Sequence, residues 1–175
     1  SEKVELHTPE RTTTQHHQLL LHELEKMWNH QTDQKPTFAV DALHEIAENI
    51  HKRSLVILFT DMMDNSERAD ELFAALQHLK FNNHEVILFH VHDYAKEVAF
   101  EYSNRPHRFI DLESGEEVKL SSNDIKKEFQ QKQEAFLKDI KLKCAQYQIE
   151  LVEADIQEGF HPVLLAYLLK REKLF

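Results

Sequence analysis

Glycine, cysteine and basic residues are scarce in this sequence, and each shortage excludes a class of function. The two glycines, Gly115 and Gly159, do not stand between a strand and a helix in a phosphate-binding pattern, which excludes nucleotide binding through a glycine-rich loop. Cys144 is the single cysteine, so an internal disulfide is excluded. A reducing compartment, the cytoplasm, is the expected location.

The charge balance argues against polyanionic partners. The chain has 21 lysines and arginines against 31 aspartates and glutamates, a formal net charge of −10. An average surface of that sign repels phosphate backbones and anionic lipids, so no nucleic-acid partner is expected. No apolar run approaches the roughly 18 residues of a membrane span, so none is expected in this chain.

The remaining patterns predict one α/β domain over residues 1–175. A hydrophobic content of 41% can supply a full core for a chain of this length. Helical spacing predicts helices up to Asn29, around residues 43–50 and 69–79, from Ser121 to Tyr147, and over 163–170. The last of these is apolar on nearly all sides, so it is expected to bury more than one side. Strand patterns cover residues 3–7, 55–59, 85–93 and 149–154.

The strand at residues 55–59 is the central element of the predicted fold. Five consecutive apolar residues are typical of a strand buried on both faces, and the strand is followed by Thr60 and Asp61. In open α/β sheets, ligands bind at the carboxyl ends of the strands. Asp61 is therefore the first candidate for a functional residue, with a helix-capping role as the alternative.

Residues 94–120 interrupt the alternation of strands and helices. Two short strand patterns flank the turn at residues 113–116, which predicts a β-hairpin outside the main sheet.

Several segments, in order, resemble a von Willebrand factor A-type domain, and more closely the bacterial family called domain of unknown function 58. They are residues 53–61, the strand entry at 84–86, residues 109–117 and residues 165–171. The resemblance implies a doubly wound, mainly parallel open sheet of Rossmann-type order, 3-2-1-4-5-6, with helices on both faces. The chain would be the C-terminal part of such a domain.

The resemblance also implies a divalent cation such as Mg²⁺ at the carboxyl ends of the strands. Thr37 matches the family's metal-binding threonine and Asp61 its last metal-binding aspartate. The family's Asp-x-Ser-x-Ser loop has no counterpart here. One hydroxyl and one carboxylate would hold Mg²⁺ weakly, so an incomplete metal site is expected.

Loss of the family's first strands would leave the 55–59 strand with an open apolar edge. Such an edge pairs readily with another strand. We expect it to be covered by residues upstream of Ser1, by a second copy in a homodimer, or by residues 3–7.

A non-enzymatic protein-interaction module is the first functional hypothesis. The resemblance implies a working relationship with MoxR-type AAA+ ATPases. Met62, Met63 and Asp64 would offer this partner a contact beside Asp61, provided that the methionines are exposed. The alternative is that both methionines pack beneath the neighbouring helix.

A metal-dependent hydrolase is the second hypothesis. His90 and His92 are two apart on a strand, hence on one face, with Asp93 next. A third ligand would have to come from His84, His107 or His161, and their spacing does not favour any of them.

Overall fold

A computed structural model describes residues 8, 11–29, 39–51, 53–62, 66–103, 105–110 and 117–172. The elements are α1 (Thr14–Asn29), α2 (Ala39–Asn49), β1 (Leu55–Thr60), α3 (Ser66–Phe81), β2 (Glu85–His92), a π-helical turn (Tyr94–Val98), β3 (Pro106–Ile110), β4 (Glu117–Ser121), α4 (Ser122–Gln146), β5 (Glu150–Asp155) and α5 (Phe160–Glu172). The predicted strand at residues 3–7 lies outside the described residues. None of the described helices has the length and apolarity needed to cross a membrane.

The main sheet consists of three parallel strands in the order β1-β2-β5. Leu55 pairs with Glu85 at one end of the β1–β2 ladder and Thr60 pairs with His90 at the other. On the other side of β2, His92 pairs with Asp155. The predicted α/β class and these three strands are confirmed, and all three carboxyl ends meet at one edge.

One face of this sheet carries the core. Alternate side chains of β1 and β2, including Val56, Leu58, Val86 and Leu88, pack against α2, α3 and α4 because successive residues of a strand point to opposite faces. The helices contribute Leu43 and Ala47 from α2, Leu72, Phe73, Leu76 and Leu79 from α3, and Ile140 and Cys144 from α4. Helical spacing thus predicted the sheet-facing sides of α2 and α3. On α1 the same spacing favours a core role for Leu20, Leu24, Met27 and Trp28, and that expectation is wrong, since these residues are 38–90% exposed.

The opposite face is only partly covered. Helix α5 lies on it, with the Tyr167 ring 5.9 Å from that of Phe89, and the Arg171 guanidinium donates to the Glu85 carboxylate (2.6 Å) at the start of β2. This ion pair, chiefly through the hydrogen bond from Arg171, holds the pKa of Glu85 below its usual value. Within the described part of the chain, β2 and β5 are therefore the strands that α5 covers.

Strand β1 does not have two buried faces. Leu55, Ile57 and Phe59 are 40%, 45% and 63% exposed, and they alternate with partly buried residues. Among the described residues β1 has β2 as its one neighbour, so it is an edge strand. The expectation of burial on both faces is wrong here, because the apolar run reports composition and not what lies beside the strand.

Helix α5 likewise buries one side instead of several. Leu164, Leu165, Leu168 and Leu169 are 41–59% exposed. Together with β1 they form an apolar surface on the side of the sheet opposite the core.

The predicted hairpin is confirmed. Strands β3 and β4 pair antiparallel, from Pro106 opposite Ser121 to Ile110 opposite Glu117. The segment before it is attached to α4, since the Phe100 and Phe129 rings are 4.6 Å apart and the Gln130 amide donates to the Ala99 carbonyl (2.7 Å). The hairpin is thus an addition to the main sheet.

Replacing Leu76, a fully buried residue of α3, tests the position of the core. Leu76→Ala should lower the free energy of unfolding by about 2–5 kcal/mol, because the lost methyl groups leave a cavity. The matched control is Leu24→Ala on α1, where the side chain is 62% exposed and the expected change is within about 0.5 kcal/mol. Urea unfolding followed by circular dichroism measures both, and equal losses would contradict the described packing.

Candidate functional site

The candidate site is the edge of the main sheet where the parallel strands end. Asp61 follows β1, Asp93 follows β2, and Asp155 is the last residue of β5. Because the strands are parallel and in register, these carboxylates are brought to the same edge. The predicted placement of Asp61 at the carboxyl end of a parallel strand is confirmed.

Asp61 has an exposed side chain on an anchored backbone. The His90 Nε2–H donates to the Asp61 carbonyl across 3.1 Å, and the next amide, of Met62, donates to the Thr60 hydroxyl (3.2 Å). These two bonds hold the chain as it leaves β1, while the Asp61 carboxylate stays accessible to a ligand or partner.

Met62 is buried, not exposed. Its side chain is 5% exposed and belongs to the core cluster. The backbone turns at this residue with φ of 49°, a left-handed conformation. The expected exposed Met62 is therefore wrong, and the alternative of packing inside the fold holds for this residue.

Three of the predicted site residues cannot be compared with the structure. Thr37, Met63 and Asp64 lie outside the described residues. The predicted proximity of Thr37 and Asp61, and the contact through Met63 and Asp64, stay predictions.

His90 is buried at the centre of this edge. It is 4% exposed, and its Nδ1 has no hydrogen-bond partner among the described residues. Burial, together with the nearby His92, lowers the pKa of His90 below its ordinary value of 6.5. The side chain is thus neutral at pH 7, with its proton on Nε2 facing Asp61.

His92 lies beside His90, but the two imidazoles do not face a common position for a metal ion. The two rings are 4.8 Å apart on one face of β2, as predicted. However, His90 Nε2 is bonded to the Asp61 carbonyl, whereas His92 Nδ1 faces the His90 carbonyl at 3.3 Å. The two imidazoles are engaged with different backbone groups.

The third ligand that the hydrolase hypothesis requires is not found in the described part of the chain. His84 precedes β2, about 20 Å of strand from His90, and its Nδ1 accepts from the Ser54 amide (3.2 Å). His161 is exposed on α5, and the side chain of His107 lies outside the description. No group of three His, Cys, Asp or Glu residues that could hold a metal occurs among the described residues.

Asp93 and Asp155 serve the structure of this edge. The Asp93 carboxylate accepts hydrogen bonds from the Lys96 amide (3.2 Å) and the Gln157 side chain (3.0 Å). Burial raises the pKa of Asp93, but these bonds and the Lys96 ammonium outweigh it, so the pKa lies below its usual value. Asp155 accepts from the amides of Tyr94 (3.4 Å) and Gln157 (3.0 Å). These links between the loops after β2 and β5 have no signature in the sequence, because they join residues about sixty positions apart.

The described residues do not complete a Mg²⁺ cage. Mg²⁺ requires near-octahedral oxygen coordination, and no group of three His, Cys, Asp or Glu residues that could hold a metal occurs in the described part of the chain. The predicted ligand Thr37 lies outside that part, so the cation at Asp61 stays a prediction.

An apolar cavity of about 470 Å³ opens on the other side of the same edge. It lies between the sheet and the first turns of α5, and its lining includes Phe59, Phe89, Val91, Phe160 and Leu164. Such a cavity offers apolar contact and little polar recognition.

The burial of His90 predicts a pH-dependent stability. The unfolded chain takes up a proton at His90 as the pH falls through 6.5, whereas the folded chain resists it. Stability should therefore be full above that pH and be lost as the pH falls through the lowered folded pKa. In His90→Gln this contribution is absent, so the stability difference between wild type and variant should shrink in acid.

Urea unfolding at neutral pH and at about pH 5 measures this difference, in the range where histidine titrates. Leu88→Ala, on the same face of β2, is the control, because its loss involves no titration and should be equal at both pH values. A constant difference between wild type and His90→Gln would contradict the described burial of His90.

Comparison with the curated proteins and with the solved structures finds no match. A family model does match: the one described as "Protein of unknown function DUF58" aligns with residues 1–137, which includes β1, β2, the hairpin and the first part of α4. Because the match covers more than three quarters of the chain, this protein belongs to the DUF58 family.

Proposed function

We propose that this chain is a non-catalytic protein-interaction module of von Willebrand factor A type. The observation that carries the proposal is the position of Asp61, an exposed carboxylate held at the carboxyl edge of a parallel sheet. The order β1-β2-β5 corresponds to the last three strands of the order 3-2-1-4-5-6, which supports a doubly wound von Willebrand-like sheet.

The proposed binding residues are Asp61, Met63 and Asp64, of which the structure describes Asp61. A fixed backbone with an accessible acidic side chain suits recognition of a basic group on a partner. The buried Met62 fixes the chain directly after Asp61. A divalent cation joins this contact only if oxygen ligands come from outside the described residues.

A MoxR-type AAA+ ATPase is the proposed partner. This rests on the family resemblance, and the acidic charge of the chain favours a basic docking surface on the ATPase.

Charge removal at Asp61 tests the surface. The 175-residue chain should bind a MoxR-type ATPase from the same organism, and Asp61→Asn should weaken the complex by about tenfold, because the variant keeps the shape and loses the charge. Asp139→Asn, at an exposed carboxylate on α4, should bind as wild type does. Calorimetric titration gives the dissociation constants, with magnesium and with chelator.

Absence of a complex would overturn the choice of partner. Equal affinity of wild type and Asp61→Asn would overturn the choice of surface.

The edge of β1 that has no strand neighbour among the described residues is the second part of the proposal. An apolar edge strand without lysine, proline or a bulge favours pairing with another strand. In an antiparallel pair centred on Ile57, Leu55 of one chain lies opposite Phe59 of the other on the same face. A second copy therefore extends the sheet with matching faces.

Sedimentation velocity tests this pairing. The wild-type chain should associate with rising concentration, and Ile57→Lys should shift it to monomer, because a charge on the edge opposes pairing. Leu21→Lys is the matched control, since Leu21 on α1 is exposed to a similar extent, 54% against 45% for Ile57. A wild-type chain that is monomeric at every concentration would contradict self-pairing.

A further inference from the structure

Two histidines face each other where α2 packs on α3. The Nδ1 atoms of His44 and His78 are 3.2 Å apart, and the ring centroids are 5.4 Å apart with planes inclined at 40°. Both side chains are half-buried, so they are open to solvent on one side. Neither histidine belongs to the carboxyl edge described above.

The distance between the two Nδ1 atoms is close to that between two nitrogen ligands of one metal ion. Metal–nitrogen bonds of 2.0–2.1 Å at a tetrahedral angle place two donor nitrogens about 3.3 Å apart. In the absence of a metal, the same pair shares one hydrogen bond, with one Nδ1 protonated and the other accepting. The side chains would need little movement to exchange that proton for an ion.

The helices around the pair are held in place. Leu43 and Ala47, which flank His44 on α2, belong to the same buried cluster as Leu79 beside His78. In addition, the Asn82 side-chain amide donates to the Ala47 carbonyl (2.8 Å), a direct link between the end of α3 and α2. The fold thus pre-arranges the two ligands, which reduces the cost of ordering them on binding.

The surrounding charges favour a cation on balance. Asp41 and Glu48, three residues before and four residues after His44, share its side of α2, whereas Lys80, two residues after His78, does not share the side of His78 on α3. The formal charge of −10 acts in the same direction.

We propose that His44 and His78 form an inter-helix site for a divalent transition metal of the Zn²⁺, Ni²⁺ and Cu²⁺ class. Imidazole is a preferred ligand of these ions, whereas Mg²⁺ and Ca²⁺ select oxygen. No third His, Cys, Asp or Glu ligand stands in reach within the described residues, so water fills the remaining positions. The bound ion clamps α2 to α3.

The site is separate from the protein-binding surface. Ser66, where α3 begins after the Asp61 segment, and His78 are twelve positions apart, about 18 Å along the helix axis. The proposed site and the proposed function can therefore fail independently.

Metal titration of the full, tag-free, chelator-treated chain tests the site. Zn²⁺ competition against a chromophoric chelator should reveal one saturable equivalent in the wild type, and a rise in melting temperature that Mg²⁺ does not produce. His44→Asn and His78→Asn should each weaken that binding by about tenfold or more, because one remaining imidazole is a poor ligand set. His22→Asn and His161→Asn, at exposed histidines on α1 and α5, should leave it unchanged.

Co²⁺ substitution gives a readout that loss of packing alone would not change. The ligand-field absorption of imidazole-bound Co²⁺ should appear in the wild type and in both controls, and be lost in both test variants. If an asparagine variant is unfolded by circular dichroism, the glutamine variant at the same position replaces it.

Two results would overturn the proposal. One is the absence of saturable Zn²⁺ binding by the wild type, which would mean that the pair shares only a proton. The other is equal Zn²⁺ affinity of the wild type and both test variants, which would place the metal at other histidines.

Discussion

Pairing of β2 on both edges is the constraint on which the described fold depends. Val86, Ile87, Leu88 and Phe89 are at most 2% exposed, so the amide and carbonyl groups of this strand are out of reach of water. Buried backbone groups must find partners, and β1 and β5 supply them from either side. The helices α3, α4 and α5 then cover the side chains of this central strand, and the three strand ends converge on one edge.

That arrangement divides the molecule into a well-packed side and an open side. Val56, Leu58, Val86, Leu88 and Leu151 pack in the core cluster with residues of α2, α3 and α4, whereas on the other side α5 reaches β2 and β5 and leaves β1 exposed. Stacking of Phe59 on Phe89, 4.7 Å between ring centroids, links the exposed strand to the covered one. The apolar surface of β1 is thus continuous with the cavity beneath α5.

Local patterns in the sequence predicted the local structure. Apolar runs located β1 and β2, helical spacing identified the buried faces of α2 and α3, and two short alternating segments predicted the β3–β4 hairpin. These features depend on the period of neighbouring side chains, which the sequence contains directly.

Features that depend on distant residues were missed, for a common physical reason. The exposure of Ile57 depends on what lies beside β1, and the burial of Met62 on a left-handed turn that residues other than glycine rarely adopt. The His44–His78 contact joins two helices and is set by their packing. Composition and periodicity report neither neighbours nor turns, so the site residues were harder to predict than the elements that carry them.

The acidic residues at the carboxyl edge have different roles, which limits what this edge can bind. The carboxylates of Asp93 and Asp155 accept hydrogen bonds that close the loops after β2 and β5, so moving either one toward a cation would break these bonds. The bonds to Asp155 are exposed to solvent, whereas those to Asp93 are partly buried, so loss of the Asp93 bonds would cost more stability than loss of the Asp155 bonds. Asp61 differs because His90 holds its backbone and leaves its side chain exposed. In the described part of this edge, Asp61 thus presents an accessible negative charge on a held backbone, which agrees with the proposed contact to another protein.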